Sequence, residues 1–277
     1  MLTASRALIR KGQAGVELPR VPALSRLYRQ GVRLSQGMIL MITGRSGSGK
    51  SMLAMWLAQQ MNLRAMYFSA DMSQSDATDR LAACVTGDST ATIQRARESG
   101  TDEKYSKALE SSNINFSFRN PMTWDSVENY IQAYVEVYDA YPELFIYDNL
   151  KDFDGAEAEY GPQMEVMQRL TELARFTGST VIVLHHATDK GWDAKANPWA
   201  PPSRDQIKNG LSEQPELTLS VGFDPTSNRF GIAVIKNRSG RSDPSAQHPV
   251  GLYADLERVQ FYDMDFSGAH KGDNSHG

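Results

Sequence analysis

The chain has 277 residues, 40% of them apolar and 22% charged, with a net charge of −4 and a single cysteine, Cys84. That length suits one large α/β domain or two small ones, and the lone cysteine excludes an intrachain disulfide and fits a reducing cytoplasm. No apolar run approaches the roughly 18 residues that span a bilayer, and no secretory signal is expected, because residues 1–11 lack an uninterrupted apolar core.

The charge is uneven. Residues 1–33 carry Arg6, Arg10, Lys11, Arg20, Arg26, Arg29 and Arg33 against Glu17 alone, which leaves the remainder near −10. A basic, acid-poor start of this kind is read as an arm over 1–30. It is open whether the arm is a transit peptide, a nucleic-acid contact, a strap on an acidic neighbouring subunit or a solvated extension.

Residues 38–42 (Met-Ile-Leu-Met-Ile) predict a buried strand and 52–58 an apolar helix. Between them stands Gly44-Arg45-Ser46-Gly47-Ser48-Gly49-Lys50-Ser51. Strand, G-x-x-x-x-G-K-S loop and helix together make a phosphate-binding P-loop rather than an ordinary glycine turn. Glycines let backbone N–H groups curl around phosphate, and the helix N-terminus adds its positive end. Lys50 is expected to neutralise the β- and γ-phosphates of ATP, and the Ser51 hydroxyl to ligate Mg²⁺.

A short strand at 65–69 leads to a helix over 73–86. Residues 87–112 are polar, with one helix expected at 103–110, followed by a strand at 114–118. Thr123 is a plausible N-cap for a helix carrying Val127, Tyr130, Ile131, Tyr134 and Tyr138 at helical spacing, and Pro142 ends it. The strand at 144–148 (Leu-Phe-Ile-Tyr-Asp) closes on an acid. Asp148 at a buried strand end is suited to hold Mg²⁺ opposite Ser51. Asn149 follows it, where many P-loop ATPases have a water-polarising glutamate, so any catalytic acid must come from elsewhere. Asp71, just past the second strand, is the best placed; its plainer reading is a helix N-terminal acid stabilised by the dipole.

Met164, Met167, Leu170, Thr171 and Ala174 mark the next helix, and 181–184 the next strand, ending in His185 and His186. Adjacent strand residues face opposite ways, so one histidine at most faces the nucleotide. No Cys or further His stands at zinc-ligand spacing. Residues 187–210 read as a long functional loop, in which Trp192 and Trp199 either stack bases or pack the loop down. Strands at 217–223, 230–236, 250–254 and 258–262 follow, and the polar tail over 267–277 is expected to be disordered. The pattern predicts an α/β fold: a mostly parallel central sheet flanked by helices, with a C-terminal antiparallel β extension.

Taken together, Gly44–Ser51, Ser69-Ala70-Asp71-Met72-Ser73, the 144–150 strand, Leu184-His185-His186 and Lys236-Asn237-Arg238-Ser239-Gly240 resemble the RecA-like motor domain of DnaB-type replicative helicases, the compact phage and plasmid members in particular. The resemblance runs over residues 18–266 and frames a motor domain at 31–266. It implies a RecA-like P-loop NTPase that hydrolyses ATP at subunit interfaces, forms a homo-oligomeric, hexameric ring, and acts on single-stranded DNA in a bacterial or phage-infected cytoplasm. It implies that Asp71 orients the attacking water, Arg80 contacts phosphates and His186 senses the γ-phosphate. Lys236 and Arg238 would reach the neighbouring subunit's ATP, Arg238 as an arginine finger. The loop 187–210 matches a central-channel loop, with Lys190, Lys195, Arg204 and Lys208 as DNA contacts.

The sequence departs from the family's usual residues at Asp71 (glutamate) and His186 (glutamine), and no stretch of residues 1–277 is expected to form the separate N-terminal domain of the bacterial proteins. Competing classes are a RecA-like recombinase without processive unwinding and a metal-dependent nuclease using Asp148, Asp152, Asp154 and the histidines. A transporter ATPase lacks its LSGGQ-like segment here, and a small-molecule kinase its Arg-rich lid.

Overall fold

The computed structural model describes residues 15–156, 160–189 and 197–264. The strands are β1 (Ile39–Gly44), β2 (Ala65–Ser69), β3 (Ile114–Ser117), β4 (Leu144–Asp148), β5 (Thr180–His186), β6 (Leu217–Asp224), β7 (Arg229–Asn237), β8 (Val250–Asp255) and β9 (Gln260–Asp263). The helices are α1 (Ser25–Arg29), α2 (Lys50–Gln60), α3 (Gln74–Thr86), α4 (Thr90–Glu98), α5 (Glu103–Leu109), α6 (Trp124–Tyr138) and α7 (Tyr160–Thr177). All nine strands form one sheet in the order β3-β2-β4-β5-β1-β6-β7-β8-β9. The pairings from β3 across to β6 are parallel, and those from β6 to β9 antiparallel. The predicted fold class is observed.

Every residue of β1, β2 and β4 is buried, because helices cover both faces of the parallel part and leave no polar side. Alternation along the strands splits the core in two. Leu40, Ile42, Ala65, Tyr67, Leu144, Ile146, Ile182 and Leu184 face α2, α3, α4 and α5. Met41, Phe68, Phe145, Tyr147, Val181 and Val183 face α6 and α7. Helix α2 is sandwiched rather than surface-lying, so Leu53, Ala54, Met55, Trp56, Leu57 and Ala58 are all buried around its circumference. Helices α3 and α6 start where their caps dictate: the Ser73 hydroxyl accepts from Asp76 N, and Thr123 and Ser126 form a reciprocal capping box.

Two expectations are corrected. Residues 15–30 are no free basic arm, since Leu18, Val21, Leu24 and Leu27 are buried in the α2-side core. Their three-residue spacing builds a 3₁₀ turn (Pro22–Leu24) running into α1, which lies against the terminal strand. Arg26 Nε is 3.2 Å from Asp263 Oδ1 on β9, so this segment covers an edge that would otherwise be open. Residues 1–14 and 267–277 lie outside the described residues. The second correction is α4, a helix in a stretch whose sequence shows only polar chain. Ser89 caps it by accepting from Thr92 N, and Ile93 is its one buried residue, too little apolar periodicity to betray it.

Candidate nucleotide-binding site

The parallel strands β1, β2, β4 and β5 all end at the same edge of the sheet, where ligands bind in open α/β folds. Gly44 pairs with His186, and Ser69 with Asp148. Because side chains alternate, Tyr67, Ser69, Asp148 and His186 share the α2 face with Gly44.

The loop 44–51 then turns into α2. Gly44 must lack a side chain, since a Cβ there would sit 2.4 Å from Ser48 Oγ and 2.7 Å from the Val221 carbonyl oxygen. Gly49 caps α2 at φ 81°, a left-handed backbone that suits glycine. Gly47, Ser48, Gly49, Lys50 and Ser51, with Met52, Arg80 and Leu256, line a cavity of about 200 Å³. Lys50 is buried, and its Nζ donates to the Gly44 and Arg45 carbonyls at 3.2 and 2.9 Å. Burial lowers its pKa to about 8, against the opposing pull of Asp148 and Asp71.

The Asp148 carboxylate is buried beside this loop. Tyr67 Oη donates to its Oδ2 at 2.8 Å, and the Ser51 hydroxyl bonds to it as well. Burial raises the Asp148 pKa, and those hydroxyls and Lys50 oppose the rise. The residues expected to hold Mg²⁺, Ser51 and Asp148, are therefore in contact.

Asp71 lies past β2, 47% exposed, with Asn149 Nδ2 donating to its Oδ2 at 2.8 Å and Lys151 Nζ 3.6 Å away. Asn149 also donates its backbone N–H to Asp152 Oδ2 at 2.8 Å. Asp152 is thus engaged in holding the chain after β4.

The two histidines divide as alternation requires. His185 is buried on the other face, its Nε2 bonded to the Lys208 carbonyl at 2.9 Å. His186 is half-buried on the α2 face. Burial lowers both pKa values to about 4, so both rings are neutral at physiological pH. Among the described residues no group of three or more His, Cys, Asp or Glu is placed to hold a metal.

A triphosphate with Mg²⁺ fits this donor set. Ser48 Oγ, Ser69 Oγ and His186 Nε2 are buried without a hydrogen-bond partner, an arrangement that calls for a polar guest. Lys50 offers a cation, and the start of α2 offers free N–H groups.

The Arg45 side chain leaves the loop on the face opposite α2. Gly44 sits on the α2 face, so the next residue projects to the opposite one. Its guanidinium donates to the Ala200 carbonyl at 3.0 Å and to Gln206 Oε1 at 3.2 Å, and lies 3.5 Å from Asp189 Oδ1. Arg80, by contrast, lines the loop cavity, with Nη1 2.9 Å from Met72 Sδ.

Residues 197–207 cover the face of β6 and β7 opposite α2. The Trp199 ring rests on Gly231, where a Cβ would lie 2.8 Å from Cε3, and Arg229 stacks over it at 3.7 Å from the ring centre. Trp199 is therefore a packing residue. Ser220 Oγ donates to the Pro202 carbonyl at 2.6 Å, and Ile207 packs on Ala233 and Ile235. Arg204 pairs with Glu213, while Lys208 is exposed. Lys190, Trp192 and Lys195 lie outside the described residues.

Lys236 and Arg238 stand apart from the loop of their own chain. Asn237 pairs with Leu217, whereas Gly44 is level with Val221, so roughly 13 Å of strand separates the two levels. Arg238 is half-exposed, with Nη1 3.6 Å from Glu216 Oε1 and Nη2 3.5 Å from the Gln214 carbonyl. Lys236 Nζ bonds to the Glu213 carbonyl.

Tyr67 and Leu256 belong to this site although no sequence motif marks them, and Asn149, which the sequence shows only as standing in place of a glutamate, is the donor to Asp71. A tyrosine two residues before a strand end, on the face that carries Asp148, is the one signal that points to Tyr67.

A family model described as an AAA domain matches residues 13–191, more than half of the chain. The Gene 65 protein of Mycobacterium phage L5 is 30% identical over 269 residues, covering 94% of this chain and 96% of that one. The Gene 65 protein of Mycobacterium phage D29 is 32% identical over 240 residues, covering 82% and 100%. Among solved structures, one described as an ATPase domain matches with a TM-score of 0.76 at 16% identity, over 95% of this chain and 99% of that one. A DnaB-like replicative helicase, described with its interactions with primase, matches with a TM-score of 0.74 at 15% identity, over 94% of this chain and 66% of its own length. No described helix is long and apolar enough to cross a membrane. The chain belongs to the AAA domain family, a P-loop ATPase on the RecA-like fold shared with DnaB-type helicase ATPase domains.

Proposed function

We propose that the chain is an ATP-driven DNA helicase or translocase motor that assembles into a ring, hydrolyses ATP between subunits and moves on single-stranded DNA in replication. In this reading the 44–51 loop and Lys50 hold the phosphates, and Ser51 and Asp148 would hold Mg²⁺, which would supply neutralising charge to the phosphates. Asp71, oriented by Asn149, positions the attacking water and takes its proton. Arg80 contacts phosphate, and His186, neutral, hydrogen-bonds near the γ-phosphate.

One observation carries the reading. Arg238 and Lys236 are at the end of the sheet away from their own loop, half-exposed and held by Glu216 and Glu213. A cation there serves a triphosphate on an adjoining copy, which is how a ring couples hydrolysis to movement. Lys208 and Arg204, with Lys190 and Lys195, are the proposed strand contacts, and the cytoplasm of a bacterial or phage-infected cell the proposed setting.

The test is the ATPase rate with and without single-stranded DNA over a salt series. Stimulation that weakens steeply with salt is expected, because phosphate contacts release counterions. A rate indifferent to DNA at every salt concentration rules the motor out.

A further inference from the structure

The Arg45 side chain, buried at 8% exposure, leaves the phosphate loop on the far face of the sheet. There it joins both ends of one segment: Asp189 at the start, Ala200 and Gln206 at the end. Gln206 Oε1 accepts from Arg45 Nη2 and also from Ser203 N at 3.0 Å, so one oxygen ties the loop to the turn at Arg204–Gln206. A second tie runs through the backbone. Ala187 N donates to the Gly44 carbonyl, and Thr188 N to the Gln206 carbonyl, at 3.1 and 2.8 Å. The carbonyl of Arg45 is at the same time an acceptor for Lys50 Nζ. A triphosphate that draws Lys50 onto its oxygens takes that donor away from Arg45, and the residue whose backbone is released holds segment 197–207 through its side chain.

We propose that Arg45 and Gln206 form a strut that transmits the nucleotide state of the phosphate loop to residues 197–207, which makes Arg45 a positioning residue for that segment rather than a phosphate ligand. The strut itself needs only nucleotide binding. Its consequence for DNA rests on the motor reading above.

Hydrogen exchange of the full chain, with Mg²⁺ and a non-hydrolysable ATP analogue or without nucleotide, tests it. In the wild type, peptides covering 197–207 should change protection on nucleotide binding by about fivefold, the effect of a hydrogen bond made or broken. Gln206→Leu should bind the analogue as the wild type does, keep its exchange in β1 to β5, and lose that response. Gln206→Glu, which still accepts from Arg45, should retain it. Should Gln206→Leu keep the full response, or the wild type show none, the strut is overturned. It is also overturned if Arg45→Ala loses analogue affinity more than about tenfold while its 197–207 response persists, since Arg45 would then be a phosphate ligand. Loss of the response in Gln206→Leu, in a wild type whose ATPase ignores single-stranded DNA, would sink the motor reading and leave the strut standing.

Discussion

Asn149 Nδ2 donates to Asp71 Oδ2 at 2.8 Å across the β2–β4 boundary. The residue that stands where many P-loop ATPases carry a second acid thus aims an acid on the turn after β2. The Asp71 carboxylate is half-exposed and has Lys151 as its other neighbour. Without the amide, Lys151 would be free to draw the carboxylate aside. Asn149→Leu is therefore expected to lower kcat by on the order of 10²-fold, the scale of a misplacement of about 1 Å, with ATP affinity unchanged. Asp71→Asn should bind ATP and turn over far less than Asn149→Leu, because an amide takes no proton. Single-turnover rates separate the two. Equal, wild-type rates in both would move the base elsewhere.

The Tyr67 hydroxyl supplies a hydrogen bond to a buried carboxylate. Removing it in Tyr67→Phe should cost about 1.5–3 kcal/mol of stability, the range for a bond to a charged group, read as a lower urea midpoint at an unchanged slope. Because Asp148 is the proposed metal residue, the same change should weaken binding of the Mg²⁺ complex more than that of metal-free nucleotide. An unaltered midpoint would mean that the Asp148 carboxylate does not depend on this bond.

How much of the site is legible in the sequence follows from how far apart the interacting residues stand. The loop 44–51 and the strand ending at Asp148 are local patterns, each complete within about ten residues, and both are readable. Alternation alone separates His185 from His186. The Asn149–Asp71 pair is set by the adjacency of β2 and β4, which no local pattern records. The packing role of Trp199 does have a faint sequence signal: Gly222 and Gly231 interrupt two apolar strands and pair with one another, as strand glycines do where another group approaches closely. The Arg45 side chain escapes a motif-based reading because the motif speaks for its backbone, while the pleat of β1 sends the side chain to the other face.

The Lys50 pKa of about 8 gives nucleotide binding a pH dependence of definite sign. A bound triphosphate favours the charged amine. Above pH 8 the free protein has lost that proton, so binding must take one up, and affinity should fall about tenfold per pH unit. The nucleotide-free fold behaves oppositely. Between about 8 and the ordinary value of 10.5 the unfolded chain holds a proton that the folded chain does not, so stability on this account rises with pH through that window. Calorimetry in buffers of different ionisation enthalpy should detect proton uptake near pH 8, and Lys50→Met should abolish it. Affinity that is flat from pH 7 to about 9.5 would contradict a depressed Lys50.

Arg238 ties activity to assembly. Its guanidinium lies beyond the start of β6, at the far end of the sheet from the 44–51 loop of its own chain, and no rotamer of one side chain spans that gap. If it stabilises the transferring phosphoryl group from an adjoining copy, Arg238→Ala should bind ATP as the wild type does and hydrolyse it about 10³–10⁵ times more slowly, the worth of an arginine finger. Wild-type specific activity should rise with protein concentration as copies assemble. Mixing Arg238→Ala with Lys50→Ala should then restore part of the rate, because one of the mixed interfaces joins an intact loop to an intact arginine. Rescue of this kind cannot arise from two subunits working alone. If Arg238→Ala keeps wild-type turnover, or if activity per subunit is constant across dilution in a proven monomer, hydrolysis between subunits is excluded.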